Sequence, residues 1–312
     1  MNAAVVRFDT RAWILFGIMA VLWGMPYLFI KIAVADYTPA AIVAARTLLG
    51  GLVLLPFALR ARALRPAFRK IGWVLAFGAV EMAGPFLLLG HAEQTIPSGL
   101  TGLLVSTVPL FAALTALAFS GDRSVLHPVR MIGLIVGFAG VAVVVAGPGF
   151  AVGGAAGFIA VGEVLLVAVL YAVAPFIVAH KLKDVPSLGT VTVALLSVGV
   201  FYLPFGLITQ SALPDLRLDA TAAVVALGVF CTALALVAFF ALIARVGPAR
   251  APLFTYVNPV IAILLGAVLL GEAITPSLLM GFPLIIVGCW LAATGGTMRA
   301  QRAGKLPPVA PG

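Results

Sequence analysis

The chain has 312 residues, 63% of them hydrophobic and only 9% charged, with a mean hydropathy of +1.22 and a formal net charge of +9. That balance lies far outside the range of water-soluble domains and points to an integral membrane protein. The basic residues are scattered through short connections, so nucleic acid is not an expected partner despite a pI near 10.2.

Ten apolar stretches follow in chain order, at about residues 12–33, 39–59, 71–91, 98–118, 130–147, 156–178, 188–208, 220–243, 250–270 and 277–297. Each is long enough to span, because a hydrocarbon core of ~30 Å needs about 20 residues at ~1.5 Å rise. The first is longer than the apolar core of a signal peptide. Lys31 also precedes the cleavage-like run Ala33-Val34-Ala35, so this stretch is expected to be retained.

The cations alternate with the stretches. Arg7 and Arg11 precede the first, while Arg60, Arg62, Arg65, Arg69 and Lys70 follow the second. Arg123 and Arg130, then Lys181 and Lys183, then Arg245 and Arg250 occupy the later even-numbered gaps, and Arg299, Arg302 and Lys305 the tail. These are sixteen of the 19 Lys and Arg residues. Only Lys31 and Arg217 lie at the opposite ends, and Arg46 lies inside a stretch. The excess predicts ten helices with both termini cytoplasmic, in a multi-pass protein of the plasma (inner) membrane.

A shift of 150 residues aligns Lys31 with Lys181, Gly78 with Gly228, Pro109 with Pro259, Gly121 with Gly271 and Asp122 with Glu272. The predicted architecture is therefore all-α, with a five-helix unit used twice, over 1–147 and 148–298, and a disordered basic cytoplasmic tail over 299–312. Five is odd, so the second unit is inverted. Inverted halves suit a transporter that alternates between two openings, with substrate near the midplane.

Trp23-Gly24, Lys31, Pro39, Arg46 and Pro56 resemble the opening signature of EamA-type exporters of the drug/metabolite transporter superfamily. Pro97 to Gly121 and its copy Gly247 to Glu272, with Asn258-Pro259 and Gly271-Glu272, are similar to the recurring end of each half in that family. The resemblance spans about residues 12–297. It implies ten helices in two inverted halves and the export of amino acids or other small metabolites, with some members acting on organic cations. Exporters of hydrophobic and aromatic amino acids are the nearest match within it.

Charged groups inside a span cost at least ~2.5 kcal/mol at the bilayer centre and so mark cavities or partners. Glu81 lies ten residues into the third span, about 15 Å deep, and is a candidate substrate contact or proton carrier. Arg46 lies about 10 Å deep by the same rise. It is suited to a substrate carboxylate, or to an ion pair with Glu81 or Glu163. His91 and Glu163 are candidates for a gate or proton pathway, and His91, Glu93 and Gln94 read as a solvated helix end or outer gate. No metal cluster has recognised spacing. Trp23 and Tyr27, four apart, are expected on one face of the first span, with Tyr171, Tyr256 and Asn258 completing a cavity. Pro26, Pro109, Pro175 and Pro259 are candidate hinges. Gly133 and Gly137 predict close helix packing.

No phosphate-binding Gly-x-x-x-x-Gly-Lys-Ser/Thr run exists, so neither ATP nor another cofactor is expected. Cys231 and Cys289 sit in apolar surroundings and suggest no disulfide. The chain reads as a secondary exporter of hydrophobic or aromatic amino acids, not an enzyme. Export of lipophilic organic cations is the alternative, followed by a channel or membrane sensor. The expected partners are a small-molecule substrate and the lipid bilayer, with a monomer as the working unit.

Overall fold

The computed structural model describes residues 9–120, 123–147, 154–210, 217–247 and 251–294. Among them ten helices are long and apolar enough to cross a membrane: α1 (Thr10–Ala33), α2 (Pro39–Arg60), α3 (Ile71–Ala92), α4 (Ser98–Phe119), α5 (Pro128–Ala146), α6 (Ala155–Lys181), α7 (Ser187–Gln210), α8 (Leu218–Val246), α9 (Ala251–Leu270) and α10 (Pro276–Thr294). No strand occurs among the described residues, and the helix bounds lie within a few residues of those expected. The Asp9 carboxylate accepts from the Ala12 N–H at 2.7 Å to start α1. Pro39, Pro128 and Pro276 begin α2, α5 and α10, where the missing N–H costs nothing. The tail 299–312, Asp122 and the glycine-rich residues 148–153 lie outside the described residues.

The chain forms two compact units. One contains α1 to α3, α6 to α9 and α4 as far as Val105; the other contains the rest of α4 with α5 and α10. These units do not follow the sequence halves, because helices of one half pack on their counterparts in the other.

In the larger unit α2 lies on α7 and the first part of α4 on α9. There too α1 on α8 is matched by α6 on α3. Exchanging each span with the one five places later reproduces this pattern. Within the unit Ala41 faces Gly206, Leu48 faces Gly199 and Leu196 faces Gly51, so α2 and α7 run antiparallel. In the smaller unit α5 and α10 run antiparallel as well, with Gly133 against Ala292 and Gly140 against Ile285. Antiparallel counterparts are the signature of an inverted repeat.

Irregular backbone recurs in the same register. A π-helical turn interrupts α3 at Ala79–Ala83 and α8 at Val229–Leu234. Regular helix resumes at Val108 in α4 and at Asn258 in α9, again 150 residues apart, with Pro109 and Pro259 in second place. A proline ring blocks continuation from the preceding turn but is accepted at a helix start.

Hydrogen bonds join helix ends at both rims of the larger unit. At one rim Arg245 donates to Asp9 at 3.1 Å, and Lys70 donates to the Lys181 carbonyl at 2.9 Å. At the other, the Thr38 N–H donates to Gln210 at 3.1 Å, and Gln210 donates to the Asp36 carbonyl at 2.9 Å. Arg217 pairs there with Asp219 at 2.7 Å.

The end of α9 is locked at this second rim. Gly271 adopts φ +66°, a conformation that favours glycine, and turns the chain so that Glu272 reaches back. The Glu272 carboxylate accepts from the Ser98 N–H (2.8 Å), the Ser98 hydroxyl (2.9 Å) and the Gly99 N–H (3.0 Å), capping α4.

Two stability predictions follow from this packing. A Cβ at Gly288 would stand 2.8 Å from the Gly133 carbonyl oxygen and closer still to Gly137. Gly288→Val should therefore lose about 1–3 kcal/mol by overpacking, seen as a lower melting temperature in detergent. Gly17→Ala, with nothing within 4 Å of the new atom, should melt as wild type. Glu272→Ala, which strands the first turn of α4, should cost about 1.5–3 kcal/mol; an unchanged melting temperature would contradict the capping role.

Candidate functional site

Arg46 is buried in α2, with its side chain turned toward α3 and α8. Its guanidinium carbon stands 3.8 Å from the centre of the Phe86 ring, and its Nε donates to the Thr232 hydroxyl at 3.1 Å. Thr232 in turn donates to the Leu227 carbonyl at 2.8 Å, a bond that the π-helical turn of α8 allows. One face and one edge of the guanidinium are thus fixed by the protein. Among the described residues no carboxylate pairs with it. Tyr27, Tyr171, Cys231 and Glu93 are its electrostatic neighbours.

Glu81 sits in the π-helical turn of α3 and is partly buried. It forms no hydrogen bond or ion pair among the described residues. Tyr171 of α6 lies within electrostatic range of both Glu81 and Arg46. Tyr27 is buried at the Arg46 end of this arrangement, its ring against Gly102, where a Cβ would stand 3.1 Å from a ring carbon. The side chains of Arg46, Glu81, Tyr27, Tyr171 and Phe86 therefore bring a cation, a carboxyl group, two phenols and an aromatic face into one region of the larger unit.

The two ion pairs expected for Arg46 are absent among the described residues. Glu163 instead lies 2.8 Å from Nδ1 of His91, tying the start of α6 to the end of α3. His91 is well exposed and Glu163 largely covered, which keeps this pair at the rim.

Glu93 corrects the expectation of a solvated helix end. His91 and Gln94 are exposed, but Glu93 is fully buried and neither carboxyl oxygen has a hydrogen-bond partner. Burial pushes its carboxyl well above the usual carboxylate range. Lys31 opposes that shift, Glu272 adds to it and Arg46 opposes it. Lys31 donates to the backbone carbonyls of Glu93 at 2.6 Å and Ile96 at 3.0 Å, closing the connection between α3 and α4.

The remaining predicted residues separate. The backbone of α1 bends at Met25, between Trp23 and Tyr27, with Pro26 restarting the helix. Trp23 joins an aromatic cluster, 5.1 Å from Phe239 and 5.4 Å from Phe254 between ring centres, rather than accompanying Tyr27 to Arg46. Asn258, with its amide oriented to satisfy its surroundings, donates to the carbonyls of Ala20 and Phe254 at 3.2 Å each. It thereby fastens α9 to α1. Tyr256 ends the 3-10 turn ahead of it and is partly buried. Pro175 lies inside the uninterrupted helix α6, unlike Pro26, Pro109 and Pro259 at their restarts. No group of three or more His, Cys, Asp and Glu side chains is placed to hold a metal among the described residues.

Sequence reasoning missed Phe86 and Thr232, which orient Arg46. An apolar ring and a lone threonine inside spans carry no distinguishing signal. The 150-residue shift does place Thr232 in the turn that corresponds to that of Glu81, a pointer available before the structure.

The EamA-like transporter family matches the chain twice, over residues 11–146 and 158–294. The uncharacterized transporter YvbV of Bacillus subtilis is 30% identical over 95% of both chains. The uncharacterized inner membrane transporter YedA of Escherichia coli is 28% identical over 88% of each. A probable terminal-alkyne amino-acid exporter of Streptantibioticus cattleyicolor is 26% identical, covering 92% of this chain and 94% of its own. A crystal structure at 22% identity superposes over 94% of this chain and 98% of its own with a TM-score of 0.64, showing a shared fold. Both halves of the sequence carry the family's pattern on ten apolar helices, and the chain belongs to the EamA-like transporter family.

Proposed function

We propose that this transporter exports hydrophobic or aromatic amino acids across the inner membrane by alternating access of its inverted halves, with both termini cytoplasmic. The observation that carries this reading is that Arg46 and Glu81 both lie within electrostatic range of Tyr171, yet among the described residues neither is paired with the other or with another charge. A zwitterion supplies both missing charges: its carboxylate takes the free edge of the guanidinium, and its ammonium takes Glu81. Phe86, Tyr27 and Tyr171 offer aromatic surface to the side chain between them. The probable terminal-alkyne amino-acid exporter among the relatives supports amino acids as the broader class.

A lipophilic organic cation fits less well, because it would gain Glu81 while meeting the repulsion of Arg46. Phosphorylated solutes need several cations in the pathway, whereas Arg46 is the one cation buried within a described span. In the proposed cycle Glu81 holds the substrate ammonium outward and a proton on return, so the two ions compete for one carboxylate.

The test is counterflow of labelled phenylalanine in proteoliposomes, with and without an imposed pH gradient. A carrier gives saturable counterflow; a channel does not. Arg46→Leu should lower phenylalanine affinity by on the order of 100-fold, while leaving a lipophilic cation unaffected or better bound. Glu81→Gln should lower it about 10-fold or more and abolish any response to the gradient. Equal losses for amino acid and cation in Arg46→Leu would reduce Arg46 to a structural group, and an unchanged gradient response in Glu81→Gln would remove Glu81 as carrier.

A further inference from the structure

A second polar site lies at the cation-rich rim, away from the region of Arg46. A cavity of about 540 Å³ opens between the start of α3 and the end of α6, lined by Arg69, Lys70, Gly72 and Trp73 on one side and His180 and Lys181 on the other. Glu81 stands nine residues beyond Gly72 along α3, about 13 Å at ~1.5 Å per residue, so this cavity is not the substrate region.

Three permanent cations share this small space. Lys70 is anchored by its bond to the Lys181 carbonyl at 2.9 Å, and the Lys181 ammonium is held 4.9 Å from the centre of the Trp73 ring. The acid recorded with them is Asp184, 3.6 Å from Lys70 and mostly in solvent. His180 turns its Nδ1 to the Phe176 carbonyl and stacks on the Phe176 ring, which fixes it at the cavity wall. Gly72 leaves the space unfilled, with nothing within 4 Å of the position a Cβ would take.

Apolar surface continues from the cavity along the outside of the helix. Ile71 and Leu75 are exposed and four apart on α3, and Phe68 is exposed on the short helix Leu64–Arg69 beside them. Trp73, also exposed, suits the boundary between headgroups and acyl chains. The surface is thus cationic at the rim and apolar immediately beyond it.

We propose that this cavity binds a phosphate group, either as the headgroup of an anionic phospholipid whose acyl chains run along Ile71 and Leu75, or as free phosphate. The apolar continuation favours the lipid. Anionic lipids concentrate in the cytoplasmic leaflet, the side to which the cationic rim is assigned.

Native mass spectrometry of protein released from nanodiscs of mixed phosphatidylglycerol and phosphatidylcholine tests this without reference to transport. Wild type should retain phosphatidylglycerol over phosphatidylcholine. The double variant Lys70→Gln/Lys181→Gln should lose on the order of fivefold in affinity per lysine. Gly72→Leu, which keeps every cation and places an apolar side chain in the cavity, should lose retention as well, while Lys70→Arg should keep it. All variants are compared at wild-type melting temperature in neutral lipid. Lipid retained in the presence of millimolar inorganic phosphate assigns the site to phospholipid; displacement by phosphate, with the same loss in the variants, assigns it to free phosphate. Equal retention by wild type, the double variant and Gly72→Leu, or no preference for phosphatidylglycerol in wild type, would overturn the proposal.

Discussion

Arg46 is held between an aromatic ring and a threonine hydroxyl, inside a span, with no carboxylate paired to it among the described residues. A charge so placed is expensive, and the protein has kept it by building around it. Phe86 covers one face of the guanidinium, Thr232 takes one edge, and the π-helical turn of α8 places Thr232 where it can do so. No hydrogen bond reaches the other edge among the described residues.

The inverted architecture explains where such chemistry can sit. Corresponding helices pack antiparallel through small residues, and both halves carry a π-helical turn and a proline-marked restart at the same register. Symmetry supplies the scaffold, and departures from it supply the charges of the candidate site. At the 150-residue shift Glu81 corresponds to Cys231 and Arg46 to Leu196. The fold evidently tolerates apolar side chains at these positions, so the charges are additions to the repeat rather than requirements of it.

Much of the fold was legible in the sequence because a bilayer leaves only long apolar helices as spans, and charge is confined to their ends. The span bounds, the close packing at Gly133 and Gly137, and the chain breaks at Pro26, Pro109 and Pro259 all follow from local composition. Partner choice was not legible, since it depends on helix rotation. Glu163 turns to His91 rather than Arg46, and Glu93 turns inward although His91 and Gln94 face water. The bend at Met25 separates Trp23 from Tyr27 despite their helical spacing, and Asn258 is occupied by backbone carbonyls. Nor did hydropathy reveal that the compact units take helices from both halves, because that depends on which counterparts interlock.

Changing the ligand separates the two charges more directly than changing the protein. Phenylalanine, phenethylamine and 3-phenylpropionate share a ring and chain but carry both charges, only the cation, or only the anion. Their competition against labelled phenylalanine in purified wild-type protein separates the contributions of Glu81 and Arg46 without altering either. If the site is built for a zwitterion, phenylalanine competes best, and each single-charge analogue is weaker by on the order of 10-fold or more. Phenethylamine competing as well as phenylalanine would show that Arg46 does not hold the carboxylate, and would contradict the central claim.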